Sequence, residues 1–129
     1  MSEKVLNILK ANLWNVATMN ANEVNVVPMG FKTVTPDGKL LIGDIFMETT
    51  VKNIKENGKI SVSAFDPKTS EGYQVKGTAE YVTEGPILDQ MVEAAKKVFP
   101  HPVVVKGVVV ITPDKYIVTT PGPDNKKEI

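Results

Sequence analysis

Apolar positions recur at the strand period of two through most of the chain and at the helical period in three short windows. The first window follows Ser2, a good helix N-cap. Leu6, Leu9 and Leu13 fall on one face and predict a helix over roughly residues 3–11. Strand-like segments come next at about 13–19, 24–34 and 39–46, the last two joined by the turn Thr35-Pro36-Asp37-Gly38. A second helical window, 49–57, places Met47, Val51 and Ile54 at i, i+4 and i+7 and ends at Asn57-Gly58, where glycine takes the left-handed conformation readily. Ile60, Val62 and Ala64 then alternate with Ser61, Ser63 and Phe65. A longer strand, 72–84, sets Tyr73, Val75, Ala79 and Tyr81 against Gln74, Lys76, Thr78 and Glu80. Gly85-Pro86 closes it and opens the third helix, 86–98, whose stripe is Ile87, Leu88, Met91, Val92 and Ala95. After Pro100 and Pro102 come a very apolar strand (103–111), a predicted turn at Thr112-Pro113-Asp114-Lys115, a last strand (116–120) and a polar tail (121–129).

Six or so strands, several joined by hairpins, with about three helices between them, predict a mainly β fold: an antiparallel barrel with helical insertions. A doubly wound parallel sheet would need regular strand–helix alternation, and the turns at 35–38 and 112–115 run against it. The whole chain of 129 residues suits one domain.

Composition removes several functions. Fifteen basic residues balance fifteen acidic ones, so no broad field would recruit nucleic acid or an anionic membrane. No run reaches the ~18 apolar residues of a membrane span. The N-terminus has no long apolar stretch with a small-residue cleavage site, so no signal peptide is expected. Cysteine is absent, which rules out disulfide and thiolate chemistry and makes the cytoplasm the expected location.

The richest stretch is 26–66, where two strands hand over to a helix opening with Thr49 and Thr50. The free N–H groups of a helix's first turn, with threonine hydroxyls beside them, make an anion site. The apolar strand pair next to it offers support for the ring of a cofactor carrying a phosphate. Asn53, one turn on, can brace the loop or lie on the surface. Lys32 is a candidate phosphate or ring contact, or a solvated strand lysine. Gly30 and Gly43 would let a flat ring approach the backbone, unless they only mark bulges. Trp14, the sole tryptophan, fits a core or subunit contact better than a stacking role, and Tyr73 and Tyr81 belong to the core. Gln74 and Lys76 face solvent, a partner chain or a cofactor. His101, alone between two prolines, can form neither a multi-histidine metal site nor a triad. Carboxylates are scattered over helix faces and turns, so a self-contained hydrolase is disfavoured and no catalytic residue is named. A bound redox cofactor would carry its own chemistry and ask the protein only for binding, orientation and electrostatics.

Val27-Pro28-Met29-Gly30-Phe31-Lys32, Gly43-Asp44-Ile45-Phe46-Met47, Thr50-Val51-Lys52-Asn53-Ile54, Ile60-Ser61-Val62-Ser63 and Tyr73-Gln74-Val75-Lys76-Gly77 follow one another in an order and spacing that resembles the pyridoxamine 5′-phosphate oxidase-like flavin-binding split β-barrels. The resemblance covers about 5–124 and is closest to the short single-domain members. It implies a six-stranded split barrel that binds FMN at a homodimer interface, and an oxidoreductase taking hydride from NAD(P)H or another small-molecule donor. The ring would lie along 27–32 and 43–47, with Pro28, Met29, Gly30, Phe31, Lys32, Gly43, Asp44, Ile45 and Phe46 as contacts. The phosphate would lie near Thr49, Thr50 and Asn53. Many relatives carry Lys or Arg immediately before the threonine matching Thr50. This chain reads Glu48-Thr49-Thr50, so a balancing cation would have to come from Lys32 or Lys52. The alternatives are a flavin electron carrier without a substrate, a binder of deazaflavin or heme, and a protein-binding barrel module.

Overall fold

The computed structural model describes the whole chain, Met1–Ile129. Its helices are α1 (Glu3–Ala11), α2 (Thr49–Asn57) and α3 (Pro86–Val98). Its strands are β1 (Trp14–Met19), β2 (Val24–Met29), β3 (Lys32–Val34), β4 (Leu40–Asp44), β5 (Lys59–Phe65), β6 (Gly72–Val82) and β7 (Gly107–Val118). All seven strands form one antiparallel sheet in the order β2-β1-β5-β6-β7-β4-β3.

That order forces the shape. β2 and β3 are the two edges of the sheet, yet only Gly30 and Phe31 separate them in sequence. Three Cα–Cα steps reach at most ~11 Å, whereas seven flat strands would hold their edges ~29 Å apart. The sheet therefore curls until its edges face each other, giving a barrel with an open seam between β2 and β3. The mainly β architecture with three helices is the one the hydrophobic pattern predicts.

The helix ends obey local rules. Ser2 Oγ accepts from the Val5 amide at 3.3 Å and starts α1. Gly58, at φ 70°, donates to the Ile54 carbonyl at 2.9 Å and ends α2. Gly38, at φ 88°, closes the Thr35 turn between β3 and β4.

Three segments depart from the expected pattern. The strand predicted from 103 begins only at Gly107. The predicted strand 24–34 divides at Gly30-Phe31 because its halves serve opposite edges of the sheet. The turn predicted at Thr112-Pro113-Asp114-Lys115 lies instead inside one continuous strand, β7. Lys76 pairs with Lys115 and Gly77 with Pro113, so Asp114 is the extra residue of a bulge. Proline and aspartate suit a bulge as well as a hairpin. Gly77 makes room for it, since a Cβ there would strike the Thr112 carbonyl oxygen.

Two cores result. Trp14, Leu40, Ile42, Val62, Val75, Val109 and Ile111 fill the barrel together with Val5 and Leu9 of α1. Leu41, Val108 and Val110, on the other face of β4 and β7, pack beneath Met91 and Ala95 of α3. Both faces of the apolar strand at 107–111 are thus covered within one chain, so the strand needs no second subunit to bury it. No helix is long and apolar enough to cross a membrane.

Candidate functional site

The seam holds a cleft of about 690 Å³, within the ~300–1,000 Å³ usual for small-molecule and cofactor sites. Nine of its sixteen lining residues are hydrophobic, which suits a flat organic ring. Asn25, Val27, Pro28 and Met29 come from β2, Gly30 and Phe31 from the seam crossing, and Ile42 and Gly43 from β4. Ile45, Phe46, Met47 and Glu48 come from the turn into α2, Thr49 and Thr50 from its first turn, and Val98 and Phe99 from the end of α3.

At the polar end, the helix is open. Its N-cap is Glu48, which makes no side-chain capping bond; the two threonines lie within the first turn and do not cap it. Uncapped N–H groups there need another partner. Thr50 is almost fully buried, and its Oγ accepts from Asn25 Nδ2 at 3.4 Å, which leaves the hydroxyl proton free to donate. Glu48 is exposed and is the only charged residue in the lining.

Nine expected contacts converge on this cleft: Pro28, Met29, Gly30, Phe31, Gly43, Ile45, Phe46, Thr49 and Thr50. Lys32, Asp44 and Asn53 do not line it, and each has a different use.

Lys32 reaches α1, donating to the Leu9 carbonyl at 3.0 Å and standing 5.2 Å from the centre of the Trp14 ring. Partial burial there pulls its pKa below the ordinary lysine value. It caps the C-terminal end of a helix, where a cation is favoured, and does not line the cleft. Asn53 is buried, not on the surface, and donates to Thr18 Oγ at 3.0 Å, pinning α2 to β1. Asp44 is 1% exposed; its carboxylate accepts from the Met47 amide at 2.8 Å and from the Tyr81 hydroxyl. Burial, then the hydrogen bond and the charge of Asp44, raise the Tyr81 pKa well above the phenol range, so Tyr81 stays a donor.

Gly43 also has a use other than the expected one. The space over it is filled by the Phe31 ring, which a Cβ would strike, and that ring meets Phe99 edge to face at 5.4 Å between centroids. Gly30 does stand open, with only a Leu13 methyl 3.7 Å from where a Cβ would be. Trp14 is fully buried and donates Nε1–H to the Leu9 carbonyl at 2.7 Å. Tyr73 is likewise buried; burial and its bond to Glu71 push its phenol up to about 12. Gln74 bonds Ser61 at 3.1 Å, Lys76 is exposed, and His101 lies outside the cleft lining. Val98 and Phe99 were invisible as site residues in the sequence; the only hint was an apolar pair directly before Pro100 at a helix end.

Known proteins resemble this chain in sequence or fold. A protein of Methanocaldococcus jannaschii, MJ0282, is 35% identical over 132 residues, covering 100% of this chain and 87% of its own. HupZ of Group A Streptococcus superposes with a TM-score of 0.86 at 25% identity, over 96% of this chain and 98% of that one. An FMN-binding protein of Syntrophomonas wolfei has a TM-score of 0.82 over 94% of this chain and 87% of its own; at 20% identity this likeness concerns the fold. The family model for pyridoxamine 5′-phosphate oxidase matches residues 1–121, and the chain belongs to that family.

Proposed function

We propose that the seam cleft binds FMN and that the protein is a small cytoplasmic flavin-dependent oxidoreductase working as a homodimer. The observation carrying this reading is the meeting, in one cleft, of an apolar wall with a helix start whose N–H groups have no side-chain cap. The first-turn N–H groups and the hydroxyls of Thr49 and Thr50 would hold the phosphate. Met29, Phe31 and Ile45 would support the ring, with backbone N–H groups around 29–31 and 44–46 toward its polar edge. FMN, when bound, supplies the hydride chemistry; the chain orients it and leaves one side of the cleft open to a donor such as NAD(P)H. An FMN-binding protein among the fold's neighbours supports flavin as the class of ligand.

A second copy of the chain would close the open side. Outside the barrel, the β1–β2 hairpin pairs Met19 with Val24 and Ala17 with Val26, and Val24 and Val26 are 78% and 64% exposed. An apolar patch of that kind marks an interaction surface.

The purified protein is expected to be yellow, or to quench FMN fluorescence on titration, and to run as a dimer in native mass spectrometry. A colourless protein that neither quenches FMN nor gains thermal stability at saturating FMN would end the reading. A heme or deazaflavin spectrum would replace FMN with that cofactor. A flavin-loaded monomer would remove the shared site.

With Glu48 as the only charge in the lining, the phosphate would rest on neutral donors. Glu48→Lys is therefore expected to tighten FMN by about threefold to fivefold at low salt. Riboflavin, lacking the phosphate, should bind the two proteins alike. The gain should shrink in high salt. Equal affinities for FMN in both proteins would separate the phosphate from Glu48.

A further inference from the structure

We infer that Tyr81 is a positioning residue for the cleft: through Asp44 it fixes the turn 45–48, and Gly107 is the opening that lets it reach. The inference rests on the FMN reading for the ligand but on observed contacts for the turn.

Tyr81 belongs to β6, and Asp44 ends β4, with β7 between them in the sheet. A tyrosine can bridge that gap only if the intervening strand presents no side chain at the crossing point. Gly107 pairs with Asp44 there, and a Cβ on it would collide with the Tyr81 ring carbon that bears the hydroxyl. The Lys55 ammonium of α2 stands 5.4 Å from the centre of the same ring. The opening at Gly107 thus delivers the phenol to a carboxylate that is 1% exposed.

That carboxylate divides its two oxygens. One accepts from Tyr81, and the other from the Met47 amide at 2.8 Å, with Lys106 Nζ 3.9 Å away. The residues between these anchors, Ile45 and Phe46, line the cleft, as do Met47 and Glu48. Phe46 is 93% exposed, so its own packing does not hold the turn. Without Tyr81 a buried carboxylate would keep one oxygen unsatisfied and lose one of the two hydrogen bonds that orient it.

Two variants test this, with no ligand needed for the first measurement. In Tyr81→Phe the ring stays and the hydroxyl goes. In Gly107→Ala the hydroxyl stays and the ring is displaced. In both, amide hydrogen exchange at Met47 should accelerate about tenfold or more, as loss of a hydrogen bond to a charged group implies. Exchange at Val62 and Val109, deep in the barrel, should hold. Lys55→Ala, which touches the ring but not the hydroxyl, should leave Met47 unchanged. In the second measurement, FMN affinity should fall several-fold in both variants, and the visible circular dichroism of bound flavin should shift.

Unchanged exchange at Met47 overturns the inference, and so does equal acceleration at Val62 and Val109, which would make Tyr81 a fold-wide support. Faster exchange with unaltered FMN affinity and spectrum overturns it as well, because the ligand would then be indifferent to the turn. If the wild-type protein binds no FMN, the functional reading fails, while Met47 exchange still decides whether Tyr81 sets the turn.

Discussion

Trp14→Ala is expected to cost about 3–5 kcal/mol of stability, the range for removing a large aromatic from a core. Trp14 is fully buried among the side chains that fill the barrel, and it ties α1 to the sheet in two ways. Its indole N–H donates to the Leu9 carbonyl at 2.7 Å, and its ring carries the Lys32 ammonium at 5.2 Å. Alanine would leave a cavity at the foot of β1 and remove the indole's bond to the Leu9 carbonyl of α1. In a domain of this size the midpoint of thermal unfolding should fall by about 10 °C or more. Trp14→Phe provides the comparison. It keeps most of the volume, and the Leu9 carbonyl retains a donor because Lys32 Nζ also reaches it at 3.0 Å. The loss there should be about 1–2 kcal/mol, that of one hydrogen bond and some packing. Chemical unfolding of both variants measures this; a loss below about 1 kcal/mol for alanine would contradict a core role.

The same residue illustrates what the sequence made legible. A lone tryptophan near the start of a strand reads as a core or subunit contact rather than a stacking residue, and the barrel decides for the core. The helix limits were equally legible, because Ser2, Gly58 and Pro86 are local signals whose meaning does not depend on the rest of the fold. What needed the fold was long range. Thr112-Pro113-Asp114-Lys115 has the chemistry of a turn, and only the Gly77 backbone opposite it decides for a bulge. The break at Gly30-Phe31 follows from sheet order, which no window of residues contains.

The site divides in the same way. Gly43 and Ile45 line the cleft, whereas Asp44 between them turns to Tyr81 and the Met47 amide, partners that no local pattern names. Lys32 lies outside the cleft lining, and a lysine two residues past a glycine has no local mark of its target. That target is a helix C-terminus twenty-three positions back in the chain. Val98 and Phe99 arrive from a helix that the sequence connects to nothing near the cleft. Local chemistry thus located the helix start and the apolar strands, and the barrel supplied the residues that brace and close them.

Thr50→Val is expected to weaken FMN about tenfold or more while leaving riboflavin nearly unchanged. Valine matches threonine in shape, so the buried packing at this position survives and the hydroxyl alone is removed. Because Asn25 Nδ2 is the donor in the Asn25–Thr50 bond, the threonine proton is available to an anion at the helix start. A hydrogen bond to a charged acceptor contributes about 1.5–3 kcal/mol, which is a tenfold effect or larger. The expectation is sharpened by the charge pattern of the cleft. With no lysine or arginine in the lining, each neutral donor carries more of the phosphate's binding. Thr50→Ser, which keeps the donor and loses a methyl group, should retain most of the affinity. Isothermal titration of FMN and riboflavin against the three proteins separates the cases. Equal losses for both ligands would assign Thr50 to the cleft wall, through the Asn25 amide that it holds. A loss confined to FMN and rescued by serine would assign its hydroxyl to the phosphate.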